Sequence, residues 1–167
     1  EDHLAFQVSS GTYDFAANKA LVKLYKFTPA RCRSDMLALA LAKAMMARDS
    51  TALLYMVPDA LLEATPLLRR LGKCDALLET SQFAAFWECA REDDAALVAL
   101  VPGFTSALRR YILGLLASTF ENVHVSLVAE TLGMTLDDAA ALVANPPPGT
   151  PLLASSDPAL ARFKPNA

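Results

Sequence analysis

The sequence predicts a mainly α protein, a HEAT- or TPR-like helical-repeat array followed by a C-terminal winged helix. Three observations carry that expectation. Alanine and leucine dominate a chain with 54% hydrophobic residues and a mean hydropathy of +0.30, and both residue types lose little rotamer freedom in a helix. Apolar residues recur at helical spacing almost throughout, up to about residue 118. The last third then changes to helix, turn, helix and a candidate strand. The expected domains are therefore residues 1–118, the array, and 119–167, the winged helix with a proline-rich connector. A chain of 167 residues buries roughly 70% of its unfolded surface, so the core needs no staples.

The elements follow in order. Ala17, Ala20, Leu21, Leu24 and Tyr25 form one apolar stripe, with Lys19, Lys23 and Lys26 opposite, and Thr28-Pro29 ends that helix. Ser34 caps a segment from Asp35 to about Arg48 that is apolar nearly all round, as for a helix sandwiched between neighbours. Pro58 breaks the next short helix. Thr65-Pro66 reads as N-cap plus first helical residue, and Gly72 as the matching stop. In the next helix Phe83, Phe86, Trp87 and Ala90 fall at i, i+3, i+4 and i+7, a packing stripe that includes the single tryptophan. Glu92-Asp93-Asp94 then reads as the acidic start of another helix. Phe104, Leu108, Tyr111, Ile112 and Leu115 trace a long one from Gly103 to about Ser118. No clean period is visible, so any repeats have diverged.

Beyond residue 118, Val123-His124-Val125 is a β-branched snippet, and Leu127 to Leu132 a short helix stopped by Gly133. Thr135-x-x-Asp138 is an acceptable capping box for a helix carrying Leu136, Ala139, Ala140 and Val143. Asn145 to Pro151, with three consecutive prolines, reads as a stiff connector leading to a strand at Leu152 to Ser155.

Several chemistries lack their residues. His3 and His124 are far apart, with no cysteine or acid at metal-ligand spacing, so no zinc site is expected. Cys32, Cys74 and Cys89 form no C-x-x-C pair and sit in no nucleophile signature, and they read as reduced core residues. The six glycines are dispersed and make no phosphate loop. Asp93-Asp94 and Asp137-Asp138 sit at predicted helix starts, where capping accounts for them better than acid–base work. The longest apolar run, Met36 to Ala42, is far too short to span a bilayer, and no secretory signal is visible in a chain that starts at Glu1 without a methionine.

Charge narrows the winged helix further. Fifteen basic and 18 acidic residues leave a net charge of −3, unlike a chain that works alone on nucleic acid. The second helix of the helix-turn-helix begins Leu136-Asp137-Asp138 and holds no lysine or arginine through Asn145. Its carboxylates would lie where phosphate must go, so DNA reading is not expected. Packing against protein suits it better, and no catalytic residues are assigned.

Three stretches resemble a known family. They are Tyr13-Asp14 through Leu21-Val22-Lys23-Leu24-Tyr25-Lys26-Phe27-Thr28-Pro29; Leu77-Leu78-Glu79-Thr80 with Phe83 and Ala85-Phe86-Trp87; and Gly103-Phe104 through Leu127-Val128-Ala129-Glu130-Thr131-Leu132-Gly133. In order and spacing they look like the k subunits of eukaryotic translation initiation factor 3, a PCI-like family pairing helical repeats with a winged helix. Residues 30 to 70 and the proline run match that pattern poorly. The small subunits of the proteasome lid and of the COP9 signalosome share the architecture, and the second stretch favours the initiation factor over both. The resemblance implies a non-enzymatic cytoplasmic scaffold without cofactor, its partners being other initiation-factor subunits, subunit l nearest, and through them the small (40S) ribosomal subunit.

Two surfaces are candidates for contact. Val123, Val125, Leu152, Leu153 and Phe163 would bring strand pairing and apolar side chains together at the edge of the wing. Lys19, Lys23 and Lys26, with Arg31 and Arg33 just beyond, are a solvated helix face or a contact for RNA or an acidic neighbour, the RNA reading predicting a steep salt dependence.

Overall fold

The structure, a computed structural model, describes residues 1–153, 157 and 159–164, and for residues 93–96 it describes the backbone alone. The architecture is mainly α with a small sheet, as the sequence predicts. The chain forms two compact units, Glu1–Ala107 and Leu108–Ala167. They divide one turn into a long helix, whereas the sequence pattern suggests a boundary after that helix, at residue 118.

The first unit runs α1 (Asp2–Ser10), α2 (Phe15–Phe27), a 3-10 turn (Pro29–Arg31), α3 (Ser34–Ala47), α4 (Ser50–Leu54), α5 (Asp59–Leu62), α6 (Pro66–Glu79) and α7 (Phe83–Ala99). Helix α3 lies at its centre, packed by α1, α2, α4 and α6. That position explains its composition: Leu37, Ala38, Ala40 to Ala42, Ala44 and Met45 are buried on every side. Even Lys43 is buried, its ammonium donating to the Gln7 carbonyl at 3.2 Å. Helices α6 and α7 form the second layer, closing on Leu68, Leu71, Cys74, Leu78, Phe86 and Trp87. Phe86 and Trp87 meet edge to face at 4.9 Å, a favourable geometry for aromatic rings. Arg70 joins the two helices by donating to the Glu92 carbonyl at 3.0 Å.

The second unit holds most of α8 (Phe104–Thr119), then β1 (Asn122–His124), α9 (Val125–Leu132), α10 (Leu136–Ala144), β2 (Leu152–Leu153) and β3 (Leu160–Phe163). The strands form an antiparallel sheet in the order β1-β3-β2. Helices α9 and α10 pack on each other and on β3.

Local signals read from sequence hold where nothing opposes them. Thr65 caps α6 by accepting from the Leu68 amide, and Thr135 caps α10 by accepting from the Asp138 amide. Gly133 closes α9 with φ 56°, a left-handed conformation that favours glycine. Ser34 is the first residue of α3 rather than its cap.

Three further expectations need correction. Gly72 does not stop α6, which runs on to Glu79. A mid-helix glycine costs roughly 1 kcal/mol against alanine, and the burial of Cys74 and Leu78 beyond it outweighs that. Leu77-Leu78-Glu79 therefore ends α6, and the tryptophan helix starts at Phe83 after a turn in which Ser81 has φ 57°. Glu92-Asp93-Asp94 starts no helix, because α7 continues unbroken to Ala99 with no glycine or proline inside it. On α2 the buried residues are Asn18, Val22 and Tyr25, so the apolar stripe is rotated from the one expected. Two elements, α1 and β3, carry too little periodic pattern to be read in advance. Of the expected strand at Leu152 to Ser155, β2 covers the first two residues, and Ala154 and Ser155 lie outside the described residues.

Candidate functional site

The wing is assembled from short-range chemistry. Arg109 on α8 donates from Nε to the Leu132 carbonyl and from Nη2 to the Gly133 carbonyl, each at 2.9 Å. A guanidinium thus takes up carbonyls that the end of α9 leaves over. After α10, Thr150 turns the chain back by donating from both its amide and its hydroxyl to the Pro147 carbonyl, and Gly149 takes φ 81° within that turn. The proline run thereby delivers the chain into β2. The Lys164 amide donates to the Pro151 carbonyl and the Phe163 amide to the Glu121 carbonyl, at 2.8 and 2.9 Å, which fixes β3 between its neighbours.

Strand alternation then sorts the side chains onto two faces. Val123 lies opposite Ala161, and Leu152 opposite Phe163. All four are buried, as is Val125 at the start of α9. This corrects the expected contact surface. Val123, Val125, Leu152 and Phe163 are apolar because they form the core of the second unit, so a partner cannot reach them. Leu153 alone of the five faces outward, 38% exposed.

The outward face holds residues that apolar patterning does not single out. Arg162 pairs with Asn122 on one side and Leu153 on the other, and His124 pairs with Leu160 one step along. All five are exposed. Glu121, Asn122, Leu153, Arg162 and Phe163 line a shallow cleft of about 230 Å³. The signal available in advance was alternation: a buried Val123 requires Asn122 and His124 to point the other way. Strand β2 is an edge of the sheet, with its outer side directed away from β3.

Helix α10 presents Leu136, Asp137 and Asp138 to solvent. Two carboxylates and no cation give this face a sign that repels phosphate. On the first unit, Lys19, Lys23, Lys26 and Arg31 are exposed together. Arg33 is exposed too, but it is engaged by Asp35 at 2.6 Å and Glu1 at 3.3 Å, and belongs to that ion-pair cluster rather than to an open basic stripe.

Three titratable groups lie in the packed interior of the first unit. Cys74 and Cys89 are buried, and burial pushes the Cys74 thiol up, away from a reactive thiolate. Asp75, also buried, accepts from the Ser50 hydroxyl and from Thr51 at 3.4 Å. Burial raises its carboxyl above the usual range, against the lowering effect of Ser50. Among the described residues no cluster of three or more His, Cys, Asp and Glu could hold a metal ion. Among them also, no helix is long and apolar enough to cross a membrane.

Comparison with known proteins adds to this geometry. A family model described as the CSN8/PSMD8/EIF3K family matches residues 31–145. The chain is similar to "Eukaryotic translation initiation factor 3 subunit K" of Dictyostelium discoideum, 33% identical over 138 residues, covering 81% of this chain and 55% of that protein. It is 33% identical over 141 residues to the Mus musculus protein of the same name, covering 83% and 64%. For the Homo sapiens protein the identity is 33% over 136 residues, covering 80% and 62%. The chain thus spans 55% to 64% of the length of these relatives.

Proposed function

This chain belongs to the CSN8/PSMD8/EIF3K family, and we propose that it is a k-type subunit of translation initiation factor 3. In this reading it acts in the cytoplasm as a non-enzymatic scaffold. It binds other subunits, subunit l among them, and reaches the small ribosomal subunit through the assembled factor. The observation that carries the reading is a third of residues identical to named k subunits over four-fifths of the chain. The second unit supplies a physical means. Its sheet has an outward row, Asn122, Arg162 and Leu153, beside an edge strand, and strand addition to an open edge is a recurring mode of protein recognition. The acidic start of α10 favours protein over nucleic acid as the neighbour.

The test is affinity purification of the tagged chain from cells, with identification of the proteins that elute with it. Initiation-factor subunits and small-subunit ribosomal proteins are the expected partners. Leu153→Asp with Arg162→Glu, both on the outward face, is expected to lower their yield at least fivefold while the chain stays folded by circular dichroism. Elution with proteasome-lid or signalosome subunits would replace the reading by one of the family's other two branches.

A further inference from the structure

The outward side of α2 is divided lengthwise into an apolar half and a lysine half. Its buried residues are Asn18, Val22 and Tyr25, and the helix advances roughly 100° per residue. On that geometry Ala16, Ala20, Leu24 and Phe27 fall along one side of the exposed arc. Lys19, Lys23 and Lys26 fall along the other. Leu24 and Phe27 are 63% and 76% exposed, large apolar groups one helical turn apart with no cover among the described residues. Among the described residues the lysines enter no ion pair; Lys19 lies over the Phe15 ring, 5.7 Å from its centre.

We infer that this face docks an amphipathic helix of a partner protein, with apolar residues at three- and four-residue spacing and acidic residues along the flank that meets the lysines. The face runs from Ala16 to Phe27, about 18 Å at 1.5 Å per residue, the length of three turns of a helix laid alongside. Helices recognised this way are read through apolar anchors one turn apart, and Leu24 and Phe27 have that spacing. Charge selects the sign of the partner: three lysines on one flank favour carboxylates and reject a basic helix. RNA fits less well. Phosphates would use the lysines, but an aliphatic row of Ala20 and Leu24 beside them offers a sugar–phosphate chain nothing, and the net charge of −3 opposes a polyanion. The inference rests on the scaffold reading above only in expecting the partner within the same assembly.

The experiment places a photo-crosslinking residue at Leu24 or at Phe27 in the full chain, expressed in cells, and sequences the crosslinked peptides from the purified assembly. Both positions are expected to converge on one segment of another protein, helical in spacing and acidic on one flank. Lys23→Glu with Lys26→Glu is expected to cut the yield at least fivefold. Crosslinks to RNA or lipid, to a second copy of this chain, to scattered sites, or to nothing overturn the inference. Co-elution measured on the same preparation separates the two claims. A chain that elutes with initiation-factor subunits yet gives no convergent crosslink sinks only the docking face. A convergent acidic helix in a preparation without those subunits sinks only the assembly assignment.

Discussion

Gln7 and Asn18 clasp each other between α1 and α2, with Gln7 Nε2 donating to Asn18 Oδ1 at 3.0 Å and Asn18 Nδ2 donating to Gln7 Oε1 at 3.1 Å. Both side chains are 1% exposed, so each satisfies the other where water cannot. Asn18→Ala would leave the buried Gln7 amide short of one donor and one acceptor, at a cost of about 2 kcal/mol. Replacing both residues by leucine is expected to cost less than the sum of the single changes. A double-mutant cycle in urea measures this, and strict additivity would mean the pair is not coupled.

Arg109 is expected to matter through its shape as well as its charge. Its fork reaches two carbonyls, those of Leu132 and Gly133. Arg109→Met is predicted to lower stability by about 2 kcal/mol, the scale of charge-assisted hydrogen bonds. Arg109→Lys should recover only part, since one ammonium lacks the planar fork. Equal stability of the lysine variant and the parent in chemical denaturation would rule the fork out.

Asp75 gives a pH dependence of definite sign. Burial raises its carboxyl in the folded state, so the native protein holds this proton to higher pH than the unfolded chain does. Stability from this group is then full below the ordinary carboxylate value of about 4 and falls as pH rises through the elevated native value. Asp75→Asn keeps the shape and removes the titration. Its stability relative to the parent is predicted to improve from pH 4 to pH 7, read as a growing difference in denaturation midpoint; a difference that shrinks over that range contradicts the assignment.

The two faces of the wing predict opposite outcomes for neighbouring residues. Phe163 is 4% exposed, and Phe163→Ala should cost roughly 3–4 kcal/mol through the cavity it leaves. Leu153→Ala, on the outward face, should stay within about 1 kcal/mol of the parent. Thermal melts of the two variants check this directly, and similar losses would mean that the strand faces are assigned wrongly.

What could be read in advance was whatever is decided within a few residues. Thr65-Pro66, Thr135 with Asp138, and Gly133 mark helix ends by chemistry that each segment carries itself, and they do so in the structure. What failed was decided at a distance. Gly72 and Glu92-Asp93-Asp94 look like breaks, yet packing between α6 and α7 carries both helices through them. The buried stripe on α2 departs from the apolar pattern because Asn18, a polar residue, holds a core position through a partner on another helix. In the wing, the apolar residues expected at the contact face lie inward for a related reason. Choosing apolar residues near a strand finds the core first, and the contact face is read only once the partner strand fixes which side is inward.

Strand β2 is two residues long, which bounds what an added strand can gain from it. A protein hydrogen bond nets about 1 kcal/mol, so two contribute about 2 kcal/mol, against the roughly 8 kcal/mol of a micromolar complex. In the proposed scaffold role, that edge would serve as an alignment key rather than as glue. It can dictate how a neighbour is seated and reject one in the wrong register, while side-chain surfaces must supply the grip. So short an edge also gives identical chains little to stack on.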